Sequence, residues 1–208
     1  MEEPEMIREL CGRLKQFTVP ELCDGAGVYH AMDYCIKPGF GRPRIAGPAV
    51  TVDVPAGEGG IVADAILKLQ PGDVLVIAGK GVCSSSYWGD HRSICAAMMG
   101  AEGVVIDGAF RDLEGCEAAG FPVFAKGLTC GTAAKSGAGA INVTVSCGGV
   151  TVRPGDIVTG DVNGICVIAP KDADQIMERA AQKRQLQQQI IKEMRRTGMV
   201  IPRIKKSV

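Results

Sequence analysis

The chain has 208 residues, 46% hydrophobic and 22% charged, with 23 basic against 23 acidic side chains and no formal net charge. That is enough to bury one sizeable core with little left for a second domain, and it lacks the broad positive field that sequence-independent nucleic-acid binding draws on. Aromatic residues make up 4%, while 28 residues are glycine and 11 proline, the texture of an α/β protein with many tight turns.

The N-terminal stretch MEEPEMIRELCGRLKQF is charged throughout, unlike a secretory signal. No run of about 18 apolar residues is present to span a bilayer, so a soluble, cytoplasmic protein without membrane partners is expected. Nine cysteines are an odd number with no CxxC pair, which predicts free thiols acting as small buried hydrophobes.

Ile7, Leu10, Cys11 and Leu14 fall at helical spacing, and Thr18, Pro20 and Glu21 read as the opening of a second short helix. AVTVDV at 49–54 reads as a strand, 61–70 as a helix, and PGDVLVIAG at 71–79 as a turn feeding a buried strand. A polar loop, GKGVCSSSYWGD, an apolar helix from about 89 to 100, the strand GVVIDG at 103–108 and a helix starting at 111 follow. Strands alternating with helices predict βαβ crossovers.

Beyond Pro122, short β-rich pieces look like meandering strands, and the PGD turn at 71–73 recurs at 154–156. Residues 170–197 form a long polar helix whose thin stripe of Ile176, Ala180, Leu186, Ile190 and Met194 suits a surface or a subunit boundary. The tail RIKKSV reads as a solvated terminus.

In open α/β sheets ligands collect beyond the carboxyl ends of the strands. Two segments meet that condition. In one, the chain passes Trp88, Gly89 and Asp90 into a helix whose first amides, near Asp90, His91 and Arg92, suit a small carboxylate; a cap is the other use of Asp90. In the other, Arg111 and Asp112 end a buried strand, a cation for an enolate oxygen beside a hard ligand for a divalent metal.

The stretches YWGDHRSICAAMMGAEGVVIDGAFRDLEGCEAAGFPVFAKG and PGDIVTGDVNGICVIAP strongly resemble the RraA-like family. That family includes class II aldolases of 4-hydroxy-4-methyl-2-oxoglutarate and 4-carboxy-4-hydroxy-2-oxoadipate, and a regulator of ribonuclease activity. The resemblance runs from about Asp24 to the final helix, and its most specific part is GVVIDGAFRD following WGD.

It implies a layered αββα sandwich, with a mixed sheet and helices on the outer faces, over one domain at 1–208. A homotrimer or homohexamer follows, with helix 170–197 at a subunit interface. It further implies that Asp112 anchors Mg²⁺ or Mn²⁺, that Arg111 contacts the pyruvyl oxygen, and that Asp90 orients a water on the ion. The turn at Gly89 and the amides of His91 and Arg92 would hold the pyruvate carboxylate. Family aldolases carry apolar residues where this chain has His91 and Arg92, and use a glutamate from a neighbouring subunit, for which Glu193 in QLQQQIIKE is the candidate.

The implied reaction cleaves a 4-hydroxy-2-oxo acid to pyruvate and a second oxo acid. It needs a base for the hydroxyl proton and an electron sink for the pyruvate enolate; a divalent ion and Arg111 would act on that developing charge. The same enolate arises when oxaloacetate loses carbon dioxide, so decarboxylation is expected as well. Against this stand a Schiff-base aldolase using Lys126 and a cysteine nucleophile, Cys83, with His91. His30 reads as local packing, Trp88 as a packing anchor or a pocket wall, and Gly79-Lys80-Gly81 lacks the spacing of a phosphate loop. The non-enzymatic alternative is a regulator that binds a ribonuclease or another protein.

Overall fold

The computed structural model describes residues 3–27 and 30–202; the basic tail at 203–208 lies outside the described residues. The helices are α1 (Glu3–Leu14), α2 (Val19–Ala26), α3 (Val62–Ile66), α4 (Asp90–Met98), α5 (Leu113–Ala118) and α6 (Ala173–Thr197), the last led in by a 3₁₀ turn at Pro170–Asp172. The strands are β1 (Lys37–Pro38), β2 (Ile45–Asp53), β3 (Val74–Trp88), β4 (Gly103–Phe110) and β5 (Val123–Leu128), followed by β6 (Ala140–Ile141), β7 (Val145–Cys147), β8 (Val150–Val152), β9 (Ile157–Asp161) and β10 (Gly164–Ile168).

One mixed sheet runs β1-β5-β4-β3-β2-β9-β10, with β6 also on β2. Strands β2 to β5 pair in parallel through the crossovers α3, α4 and α5, whereas β1, β6, β9 and β10 join antiparallel. The sheet curls until its ends meet: the Met32 amide donates to the Ile165 carbonyl at 3.0 Å, and Lys37 reaches the Asn163 carbonyl.

Alternation along the strands feeds two cores. Val74, Val76 and Val105 point into the curl with Phe124 and Cys147 of the β7–β8 hairpin. Leu75, Ile77 and Ile106 point outward under the crossover helices, with Trp88 and Phe121. A strand buried on both faces reads as a continuous apolar run. A third cluster, with Leu14, Leu22, Ile168 and Ile176, seats α1, α2 and α6 on the outer face of β9 and β10. The two walls of the curl, each covered by helices, are the expected αββα layers.

Local chemistry explains the helix starts. Thr18 and Glu21 form a reciprocal capping box at α2, with proline in the first turn. Both PGD turns fold alike, the Asp73 carboxylate accepting the Gln70 amide at 2.7 Å and the Asp156 carboxylate accepting the Arg153 amide at 2.8 Å.

The structure corrects several readings. GKGVCSSSYWGD is no loop: β3 runs to Trp88, with breaks in register at Ile77/Val82, Val82/Ser86 and Ser86/Trp88, and Cys83 and Ser84 between them are exposed. The helix expected over 61–70 is only Val62–Ile66: the chain tightens into turns in which the Lys68 amide donates to the Ala65 carbonyl and the Leu69 amide to the Ile66 carbonyl, and Pro71 disfavours helix at Gln70. The β-rich C-terminal part is not a simple meander, since β5 lies parallel to β4 and β9 crosses to β2. The nine cysteines are free, but Cys35, Cys83 and Cys130 are exposed. Burial does push the Cys11 thiol up to about 11.

Candidate functional site

Strands β3 and β4 end side by side, the Arg111 amide donating to the Trp88 carbonyl at 3.0 Å. This sets Gly89-Asp90 next to Arg111-Asp112 at one end of the sheet. Trp88 is the anchor of the turn, 2% exposed, its indole N–H donating to Ser93 Oγ at 2.8 Å and its ring stacked on Phe121.

Asp112 has a left-handed backbone, φ 57° and ψ 49°, a conformation that Asp and Asn tolerate better than most residues. Its Oδ2 accepts from Arg111 Nε at 3.1 Å. Two glycines admit the carboxylates. A Cβ on Gly89 would lie 2.6 Å from Asp112 Oδ2, and one on Gly115 would lie 2.6 Å from Asp90 Cβ.

Gly89 rather than Asp90 is the N-cap of α4, and Asp90 is the first helical residue. Asp90 Oδ1 accepts the His91 amide at 2.6 Å, so one of the amides expected for a ligand carboxylate is here held by the protein itself. The Arg92 side chain is not a free cation at the mouth. Its Nη1 donates to the Tyr87 carbonyl and its Nη2 to the Gly59 carbonyl at 2.6 Å. Burial, and then the charge of Arg111, pull its pKa down.

Gly89, Asp90, His91, Arg92, Arg111 and Asp112 all line one cavity of about 160 Å³. Sequence reasoning missed the opposite wall, made by Gly59 and by Thr132, Ala133, Ala134 and Lys135. That loop is tied down by Glu58, 5% exposed, whose Oε1 accepts the Gly60 amide at 2.6 Å and whose Oε2 accepts the Ser136 amide at 3.0 Å and hydroxyl at 2.8 Å. The Gly60 amide first, then the Ser136 and Gly137 donors, hold the Glu58 carboxyl down at about 2. The glycines of GEGG at 57–60 were the only signal for this wall in the sequence.

The competing centres fare differently. Lys126 pairs with Asp107 at 2.8 Å and Asp33 at 3.1 Å, and these partners raise its pKa. A Schiff-base lysine must present a neutral amine, and this one is held charged. It also faces another cavity, of about 220 Å³, with Cys35 and Leu113. The Cys83 thiol faces the Gly81 carbonyl, whereas the thiol 4.0 Å from His91 Nδ1 is that of Cys95. His30 packs through Nδ1 on the Val167 carbonyl at 3.0 Å. Glu193 lies on the exposed half of α6, paired with Arg196 at 2.5 Å.

Comparisons with known proteins agree on the family. Residues 19–167 match the family model RraA-like, described as Aldolase/RraA. A relative from Halalkalibacterium halodurans, named "Putative 4-hydroxy-4-methyl-2-oxoglutarate aldolase", is 38% identical over 168 residues, 80% of each chain. The solved structure of RraAS2 from Streptomyces coelicolor, described as an unusual member of the RNase ES inhibitor RraA family, superposes with a TM-score of 0.77 at 26% identity, covering 90% of this chain and 96% of that one. The RNA-processing inhibitor RraA from Thermus thermophilis gives 0.68 at 27% identity, over 74% and 93%. The chain belongs to the RraA-like family.

Proposed function

We propose that this protein is a divalent-metal-dependent pyruvate aldolase, cleaving a 4-hydroxy-2-oxo acid to pyruvate and a second oxo acid and decarboxylating oxaloacetate at the same site. One observation carries the reading: Arg111, Asp112, Asp90 and the first turn of α4 converge on a single small cavity although about twenty residues separate the pairs.

The donor set fits a hard, water-rich cation. Asp112 and Asp90 bring hard carboxylate oxygens to one cavity, and Mg²⁺ or Mn²⁺ is held by one or two carboxylates with water completing the shell. Asp112 would hold the ion, since Arg111 engages its Oδ2 and its Oδ1 has no protein partner among the described residues. When bound, such an ion would supply Lewis-acid stabilisation of the enolate charge.

The chain's own groups do the rest. The guanidinium of Arg111 faces the oxygen on which negative charge develops, where a preorganised donor gains most. Asp90 orients the water that takes the hydroxyl proton. The Arg92 amide at the start of α4 receives the substrate carboxylate, and Asp90 swings off the His91 amide to free the second donor. A homo-oligomer places the exposed half of α6, with Glu193, against a neighbour's site.

The test is coupled pyruvate release from several 4-hydroxy-2-oxo acids and oxaloacetate, with Mg²⁺, Mn²⁺ or EDTA. Arg111→Ala and Asp112→Asn, the latter chosen because Asn tolerates the left-handed backbone, are expected to lose about 100-fold or more in kcat while keeping their circular dichroism. Activity that survives thorough chelation refutes the reading. The inhibitor names of the solved relatives support a second reading, a protein-binding regulator. Capture of a ribonuclease without pyruvate release from any oxo acid would favour it.

A further inference from the structure

The small cavity shares a wall with a larger one of about 570 Å³, bounded by His91, Arg92 and Lys135 in common and beyond them by Ala63, Ile66, Leu67 and Cys95. Its volume falls within the range of small-molecule sites. A substrate that extends from the small cavity into the larger one meets His91, Arg92 and Lys135 at this shared wall, so the charge found there bears on what the far half can carry.

Of the cations around the small cavity, Arg92 has both terminal nitrogens on backbone carbonyls and Arg111 is paired with Asp112. Lys135 is exposed and takes part in none of the ion pairs formed among the described residues. Its backbone is nevertheless fixed on both sides. Ala134 exchanges hydrogen bonds with Gly57 and Gly59 at 2.8 and 2.9 Å, and Ser136 and Gly137 donate to the Glu58 carboxylate. An ammonium outside those ion pairs, on a pinned segment that lines both cavities, is a preorganised receptor for an anion.

We propose that Lys135 is the specificity-determining residue of this site: it takes the second acidic group of a dicarboxylic substrate whose pyruvyl half sits in the small cavity and whose far half sits in the large one. Glu58 is its positioning residue. The inference rests on the pyruvate-aldolase reading for the orientation of the ligand.

The experiment is calorimetric binding to the Mg²⁺-loaded full chain, comparing 2-oxoglutarate with 2-oxopentanoate, which has the same length and no second carboxylate. The wild type is expected to prefer the dicarboxylate by about tenfold or more, as a charge-assisted hydrogen bond at an open site allows. Lys135→Met and Lys135→Gln abolish the preference while near-ultraviolet circular dichroism is unchanged, Lys135→Arg retains most of it, and added salt weakens it in the wild type alone. Equal affinity for the two acids in the wild type, or a preference that persists in Lys135→Met, overturns the proposal. Failure of the aldolase reading looks different: no 4-hydroxy-2-oxo acid releases pyruvate, whatever the calorimetry gives.

Discussion

Gly89 and Gly115 hold the two carboxylates in place, but a methyl group at each has a different effect. At Gly89 the obstacle is the tip of Asp112, which can turn away. Gly89→Ala is therefore expected to lower the melting temperature little while cutting pyruvate release about 100-fold, the loss typical of an ångström-scale misplacement. At Gly115 the obstacle is the Cβ of Asp90, which cannot rotate aside, so Gly115→Ala should cost about 1–3 kcal/mol in urea unfolding. Glu58 adds a pH dependence. Its pKa falls from 4.5 to about 2 on folding, so its stabilisation is complete above about 4.5 and is lost as the pH falls through about 2. Amide protection factors at Gly60, Ser136 and Gly137 should fall as the pH drops through that window, and in Glu58→Gln should already be low at neutral pH.

Among the elements, α6 is held at one end only. Arg184 forks onto Glu21 at 2.6 and 2.8 Å, reaches the Gln16 carbonyl at 3.0 Å and lies 4.4 Å above the Phe17 ring. The Arg184 hydrogen bond is the main reason that the Glu21 carboxyl sits at about 2. Because the pair is about one-third exposed, 34% and 27%, Arg184→Ala is expected to cost only about 1 kcal/mol in urea unfolding, and limited proteolysis should then open the α2–α6 junction first. That junction was only half legible: the capping box at Thr18 and Glu21 announces α2, but nothing local says that a side chain 163 residues away completes the cap.

For the whole molecule, residues of α6 beyond Arg184 bury nothing fully in this chain, yet Leu186, Ile190 and Met194 are half-buried at helical spacing. A stripe of that kind contributes little to the protomer and suits a second copy. A chain ending after Gln185 is expected to stay folded by circular dichroism and to lose self-association in light scattering; a full-length protein that is already monomeric would contradict this.

The sequence alone determined whatever depends on neighbours along the chain: the βαβ run, whose buried strands are continuous apolar stretches, the proline-glycine turns, the α2 cap, and the RD pair at a strand end. Only the tertiary structure decided what depends on partners far away. The breaks in register that make KGVCSSS part of a strand arise against β4. The wall of Gly59 and Lys135 exists because Glu58 ties together segments 78 residues apart. The loss of Arg92 as a free cation follows from two carbonyls that its guanidinium meets only after folding. Hydrogen-bond donors and acceptors find their partners by position in space, and spacing in sequence carries no record of that.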